Sequence, residues 1–213
     1  MGELMLRSAV LLLVVIVFLG ISVDLRAESP RDCVVRAGEA LDRADAALFA
    51  DNVDMDEVIH TGLEVFLAES KKPDVARELP PMLNLMLSQV SDPERGETLR
   101  VLLARETKAF VLGSIASGAF SGKKTAKGNS QGLFGPLFAN ASMGRKELIQ
   151  IGTAEVLHDG WRVPCTLLDY GNGIEYPLDA KVQARNGQLM VTQILNLPEL
   201  FARIREEARQ LEE

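Results

Sequence analysis

The sequence predicts an α+β fold, in which N-terminal helices pack on a curled four-stranded antiparallel meander and a helix follows the last strand. Three observations predict this class. Residues 29–115 carry apolar side chains at helical spacing, residues 145–195 contain strand-like runs separated by turn signals, and Pro198 opens a last helical stretch that ends near residue 211. Helices that precede a consecutive antiparallel sheet cover one face of it, which is the α+β arrangement.

Three turn signals divide the sheet region into four strands. They are His158-Asp159-Gly160, Gly171-Asn172-Gly173 and Asn186-Gly187. Asn-Gly and Asp-Gly supply the positive φ angles that tight hairpins need, so each signal predicts a reversal between antiparallel neighbours. The predicted strands span 145–157, 161–169, 174–184 and 188–195. Pro164 and Pro177 lack the amide hydrogen that a ladder requires, so each predicts an edge or a bulge that bends its strand.

The third and fourth strands alternate between apolar and polar side chains. On the third strand the apolar side consists of Ile174, Tyr176, Leu178, Ala180 and Val182. On the fourth strand Leu189 and Val191 oppose Met190, Thr192 and Ile194. The clean alternation of the third strand predicts one face in the core and one face in water.

Capping residues and prolines set the helix boundaries. Ser29 and Pro30 form a helix start, and Asp54 is placed to cap the second helix. The predicted helices span 29–50, 54–70, 74–90 and 91–115. Pro80-Pro81 removes two backbone donors, so the third helix is expected to kink or split there.

The pattern of the N-terminal 27 residues predicts an export segment. They combine Arg7, an apolar run from Ser8 to Val23 and the small residue Ala27. The run is intermediate in length between the apolar core of a signal peptide and the roughly 20 residues of a membrane-spanning helix. We therefore expect an exported chain, periplasmic after cleavage or anchored to the inner membrane facing the periplasm. Residues 28–213 are then a single α+β domain.

Composition excludes several classes of partner. A formal net charge of −7 argues against nucleic acid, and any membrane contact is expected only through the N-terminal segment. His60 and His158 are the only histidines, so we expect no metal and no cofactor. Cys33 and Cys165 have two interpretations in an oxidising compartment: a disulfide, or a pair of buried free thiols.

Residues 116–144 form a glycine-rich stretch that predicts a long loop. Its segment 118–125 lacks the glycine spacing of a phosphate-binding loop and has no hydroxyl directly after Lys123, so nucleotide binding is not expected. Long loops in compact domains are often functional. The alternatives are therefore a plain connection and a lid or partner-contact loop.

The strand and turn at 152–163, which contains Asp159-Gly160-Trp161, resembles the last strands of cystatin-like and nuclear-transport-factor-2-like domains. Residues 44–54 also resemble uncharacterised bacterial envelope proteins that carry such a domain after an export segment. This resemblance implies a helix-in-curled-sheet fold. Enzymes of the group use an acid and a histidine inside the cone. Here His158 lies at a turn and His60 lies on a helix, so we expect no catalytic site.

A weaker resemblance links the chain to periplasmic phospholipid-shuttle proteins, which hold acyl chains between helices and sheet. The residues compatible with such ligand binding are Met82, Leu83, Met86, Leu87, Phe110 and Tyr176, with Phe120, Phe134 and Phe138 in the glycine-rich stretch. The other interpretation of these side chains is an ordinary core. Three hypotheses follow. The first is a non-catalytic envelope protein that binds a partner protein or supports an assembly, and the second is a carrier or sensor of an apolar, lipid-like small molecule. The third, for which the sequence offers no acid–histidine pair, is an enzyme of the same fold.

Overall fold

Seven helices and a curled antiparallel sheet make up the described part of the chain, which confirms the predicted α+β class. The computed structural model describes residues 28–78, 81–90, 92, 96–123 and 144–212. The helices are α1 (Pro30–Arg43), α2 (Ala46–Asn52), α3 (Met55–Ser70), α4 (Pro73–Glu78), α5 (Pro81–Val90), α6 (Gly96–Ala116) and α7 (Leu197–Glu212), with a 3₁₀ turn at Ala119–Ser121. The strands are β1 (Lys146–Ile149), β2 (Glu155–Leu157), β3 (Gly160–Asp169), β4 (Ile174–Arg185) and β5 (Gln188–Ile194).

The predicted first strand, 145–157, is two strands rather than one. β1 pairs with the end of β3 and β2 pairs with its start, so both occupy the same edge of a sheet four strands wide. Pro164 lies opposite the break and its carbonyl accepts a hydrogen bond from Gly152 N at 2.8 Å. Because Pro164 has no amide hydrogen, the ladder cannot continue through it, and residues 150–154 bulge opposite residues 163–165 of β3. The bulge expected at Pro164 is confirmed.

The start of β4 confirms the edge position predicted for Pro177. The last β4–β5 pair is Ala180 with Ile194, so Pro177 lies beyond the end of β5. An irregularity in register follows Lys181, and beyond it Ile194 packs on the same core face as Val191. The predicted placement of Ile194 on the opposite side is therefore wrong, because a bulge adds one residue and reverses the side of every later residue.

The predicted helix 29–50 is broken at Ala44. Ala44 has a φ of 58°, and Asp45 starts a new helix by accepting a hydrogen bond from Leu48 N at 2.9 Å. A short acidic side chain at a helix start satisfies an amide that has no partner within the helix. The prediction of a single helix is therefore wrong. The cap predicted at Asp54 is confirmed, because Asp54 Oδ1 accepts a hydrogen bond from Glu57 N at 3.2 Å.

Replacing the cap residue Asp45 with alanine is expected to lower the free energy of unfolding by about 1 kcal/mol, because Leu48 N loses its acceptor. Urea denaturation followed by circular dichroism measures this change. Asp45→Asn is the matched control, since its side-chain oxygen still caps the helix. Equal losses in the two variants would contradict a capping role.

The core lies between the concave face of the sheet and the first helices. α1 contributes Cys33, Val34 and Ala37, α3 contributes Met55 and Ile59, and the sheet contributes Val163, Cys165, Ala180, Val182 and Val191. Asp54 N donates to the carbonyl of Val191 at 2.9 Å, which ties the chain before α3 to β5. α7 packs across α3 through Phe201 and Phe66, whose ring centroids are 5.9 Å apart. These contacts leave the outer side of α3 and α6 away from the sheet.

Candidate binding groove

A groove of about 340 Å³ runs between α3 and α6. From α3 it is lined by His60, Leu63, Glu64, Leu67, Ala68 and Lys71. From α6 it is lined by Glu97, Arg100, Val101 and Ala104. Residues three and four apart lie on one face of a helix, so each set forms a continuous strip along its helix. The groove therefore follows from the spacing of these side chains on two neighbouring helices.

α3 and α6 lie antiparallel to each other. Lys108, in the second half of α6, bonds both carboxylate oxygens of Asp56 at 2.8 Å, and Asp56 is in the first turn of α3. At the other end Leu67 and Leu99 share one apolar cluster. This arrangement places the start of α6 beside the end of α3.

The groove combines an apolar floor with a charged rim. Leu67 is buried, and Leu63 and Ala104 are partly buried against the main core. Val101, in contrast, is 60% exposed, although it is a large apolar residue on a helix. On the rim, His60 Nε2 lies 3.4 Å from Glu64 Oε1, and Arg100 lies 3.9 Å from Glu97. A strip of apolar side chains between charges of both signs is the form of a site for an amphipathic helix.

The residues predicted to bind a ligand do not line this groove. Leu87 is buried in a cluster with Leu67 and Val90, directly behind the groove floor. Phe110 lies further along α6 and is partly buried. Met82, Leu83 and Met86 lie on α5, but their side chains are outside the described residues, as are Phe134 and Phe138.

Tyr176 has a different environment again. Its side chain is buried on β4, its hydroxyl accepts a hydrogen bond from Asn172 Nδ2 at 2.8 Å, and the guanidinium of Arg203 lies 5.8 Å from its ring centre. The structure therefore uses Tyr176 to connect the β3–β4 turn with α7. It does not bring Tyr176 and Leu87 into one binding site.

A buried ion pair closes one end of the concave face. Lys146 Nζ lies 2.7 Å from Asp169 Oδ1, and the exposed fractions of the two side chains are 13% and 6%. The same Asp169 oxygen accepts a bond from Gly171 N at 2.8 Å, and Lys146 Nζ lies 5.6 Å from the ring centre of Phe120. These contacts hold the 3₁₀ turn, β1 and the end of β3 together, which is a structural role.

Three further polar residues near the hairpin turns, His158, Asp159 and Tyr170, are exposed. Asp159 accepts a hydrogen bond from Lys181 Nζ at 2.6 Å, and this bond lowers the pKa of the Asp159 carboxyl. Tyr170 donates to Glu147 at 2.8 Å, and this bond raises the pKa of the phenol. His158 is exposed at the hairpin. Within the described ranges, no group of three or more histidine, cysteine or acidic side chains is arranged to hold a metal ion.

Both cysteines are free thiols in the structure, so the disulfide alternative is not what the fold contains. Cys33 Sγ donates hydrogen bonds to the backbone carbonyls of Asn52 at 3.4 Å and Leu189 at 3.3 Å. Its hydrogen-bond partners are therefore backbone groups and not the other cysteine. Burial raises the pKa of each thiol to about 11; the charge of Asp179 adds to this for Cys165. Thiols with so little thiolate at neutral pH are inert.

Sequence reasoning missed the α6 side of the groove. From the sequence, His60 was placed on the predicted helix 54–70, which also contains Leu63 and Leu67. On α6 a signal was present, because Val101 lies on the same helical face as Glu97 and Arg105, two charged residues. An apolar residue in the middle of a charged strip marks an exposed contact point.

Comparison of this chain with protein-family models, curated proteins and solved structures gives no match to any of them. None of the helices in the described ranges has the length and apolar character needed to span a membrane.

Proposed function

We propose that this protein is a non-catalytic binding protein of the cell envelope that holds an amphipathic helix of a partner protein in the α3–α6 groove. The observation that carries the proposal is the apolar floor of Leu63, Leu67 and Ala104 beside the exposed Val101. An amphipathic helix binds such a groove with apolar side chains at i, i+3, i+4 and i+7. The export segment predicted in residues 1–27 supports the envelope location.

The charges of the rim favour a helix over an acyl chain. Glu64 and Glu97 lie on opposite walls, as do Lys71 and Arg100. Charged residues that flank the apolar stripe of a partner helix can pair with both signs, whereas an acyl chain offers no group to pair with them. A volume of about 340 Å³ is nevertheless within the roughly 300–1,000 Å³ of small-ligand sites. A carrier of an apolar molecule is therefore the alternative outcome of the test.

The test is a photo-crosslinking amino acid placed at Ala68, an exposed position in the groove, in the cell that produces the protein. The same amino acid at Gln188, an exposed position on β5, is the matched control. We expect discrete protein adducts from Ala68 and none from Gln188. Peptide mapping of the adduct is expected to identify an amphipathic helix at the crosslink.

A second variant tests whether the groove itself is responsible. Val101→Asp changes an exposed side chain, so the fold is retained, but it places a charge in the apolar strip. We expect at least a tenfold weaker adduct from Ala68 in this variant. A lipid adduct in place of a protein adduct would establish the carrier alternative. The absence of any adduct from Ala68 would overturn the proposed function.

A further inference from the structure

The exposed face of α6 carries a charge pattern that is complementary to itself. Glu97 and Arg105 each lie four residues from Val101, on opposite sides of it along the helix. All three side chains are exposed, and residues four apart share one helix face. If two copies of α6 cross antiparallel with Val101 at the centre, Glu97 of each faces Arg105 of the other. The two charge pairs then flank one apolar contact.

Arg105 makes no ion pair with any described residue, and Glu97 reaches only Arg100, at 3.9 Å. Both charges are therefore available for a partner. A two-fold axis requires a surface that complements itself, because the same residues meet from both sides. Few strips satisfy this condition: a uniformly acidic or basic helix face repels its own copy.

The α3–α6 groove is placed to receive the second α6. A helix that is antiparallel to α6 runs parallel to α3, because α3 and α6 are themselves antiparallel. The Lys108–Asp56 pair sets which residues of α3 and α6 lie side by side. In this register, Arg105 of the second copy lies within about one helical turn of Glu64. The same placement brings Val101 of the second copy level with Leu63 on the groove floor. Each α6 enters the groove of the other copy, which forms a four-helix arrangement.

We infer that the helix held in the groove is α6 of a second copy of this chain, so that the protein is a two-fold symmetric dimer. This inference rests on the proposed function and names the partner of the same groove. The formal net charge of −7 on each copy opposes association, and the four interfacial charges offset this repulsion locally. The dimer is therefore expected to depend on the Glu97–Arg105 pairs.

Disulfide trapping at the symmetry axis tests the inference with the full-length protein. In the proposed dimer, Val101→Cys places the two new thiols opposite each other across the axis, and a disulfide forms when their Cβ atoms approach to roughly 3.5–4.5 Å. We expect a covalent dimer after mild oxidation, read on a non-reducing gel. Asn186→Cys, an exposed position on a hairpin, is the matched control and is expected to stay monomeric. The native thiols are buried and do not contribute.

Charge reversal distinguishes a specific interface from random collision. In Val101→Cys, adding either Glu97→Arg or Arg105→Glu places like charges opposite each other in both pairs. We expect at least a tenfold loss of covalent dimer in each. Adding both substitutions restores opposite charges, and we expect the dimer to return. Trapping that is unchanged by single reversal, or that the double reversal does not restore, would overturn the inference.

The two proposals fail in different ways. If Val101→Cys stays monomeric while Ala68 crosslinks to a different protein, the second-copy inference is overturned and the proposed function stands. If Ala68 crosslinks to a second copy, the adduct has twice the mass of the uncrosslinked chain from the same cells, and both are supported. If neither experiment gives a covalent product, both are overturned.

Discussion

Replacing Asp169 with alanine is expected to lower the free energy of unfolding by about 3–5 kcal/mol, because it leaves a buried ammonium without its counter-charge. The Asp169 carboxylate accepts bonds from Lys146 Nζ and Gly171 N, and both charged side chains are almost entirely removed from water. In the variant Lys146 Nζ retains its hydrogen bond to the neutral Gly144 carbonyl, at 3.3 Å. Urea denaturation followed by tryptophan fluorescence measures the loss, with Trp161 as the reporter.

Two further variants test whether burial of the charge is the cause. Arg43→Ala removes an exposed pair with Glu39 and is expected to cost at most about 0.5 kcal/mol, since water already solvates both groups. The double variant Asp169→Asn with Lys146→Met removes both charges and keeps an acceptor for Gly171 N. It is expected to be more stable than Asp169→Ala. If the double variant were no more stable, an unpaired buried charge would not be the cause.

The two buried thiols are expected to make the protein lose stability at alkaline pH. Burial raises their pKa values from 9.0 to about 11. Between these values the unfolded chain releases the thiol protons while the folded protein retains them, so the free energy of unfolding falls as pH rises. Below pH 9 both states are protonated and the contribution is fully present. The loss approaches about 2–3 kcal/mol for each thiol once the pH exceeds the folded value.

The measurement is the free energy of unfolding of the native sequence and of the double variant Cys33→Ala with Cys165→Ala, at pH 8 and at pH 11. Lysines and tyrosines titrate in the same range, but their contribution cancels in the difference between the two proteins. We expect the native sequence to lose several kcal/mol more than the double variant. Either single variant is expected to give about half of that difference. Equal losses in the two proteins would show that burial does not suppress thiol ionisation.

The binding groove shows how far a sequence can take a prediction of this kind. Each of its two walls was predicted as a helix, and the cap at Asp54 was predicted from local chemistry. The contact between α3 and α6 was not predicted, because the Lys108–Asp56 pair joins residues 52 positions apart and leaves no local sequence pattern. For the same reason, the residues predicted to bind a ligand lie on α5, α6 and β4. In the structure, Leu87 of α5 and Tyr176 of β4 contact different parts of the protein and do not form one site.

Local chemistry in the sequence determined the α+β class, the three hairpins and the bulge opposite Pro164, since turn geometry and a missing amide hydrogen act within a few residues. The tertiary structure alone decided the break at Ala44, where a cap competes with helix continuation, and the side of Ile194, where one bulge residue reverses the alternation. It also decided that Lys146 meets Asp169 and that α3 lies beside α6. Such contacts depend on the summed packing of distant segments, which no short stretch of sequence encodes.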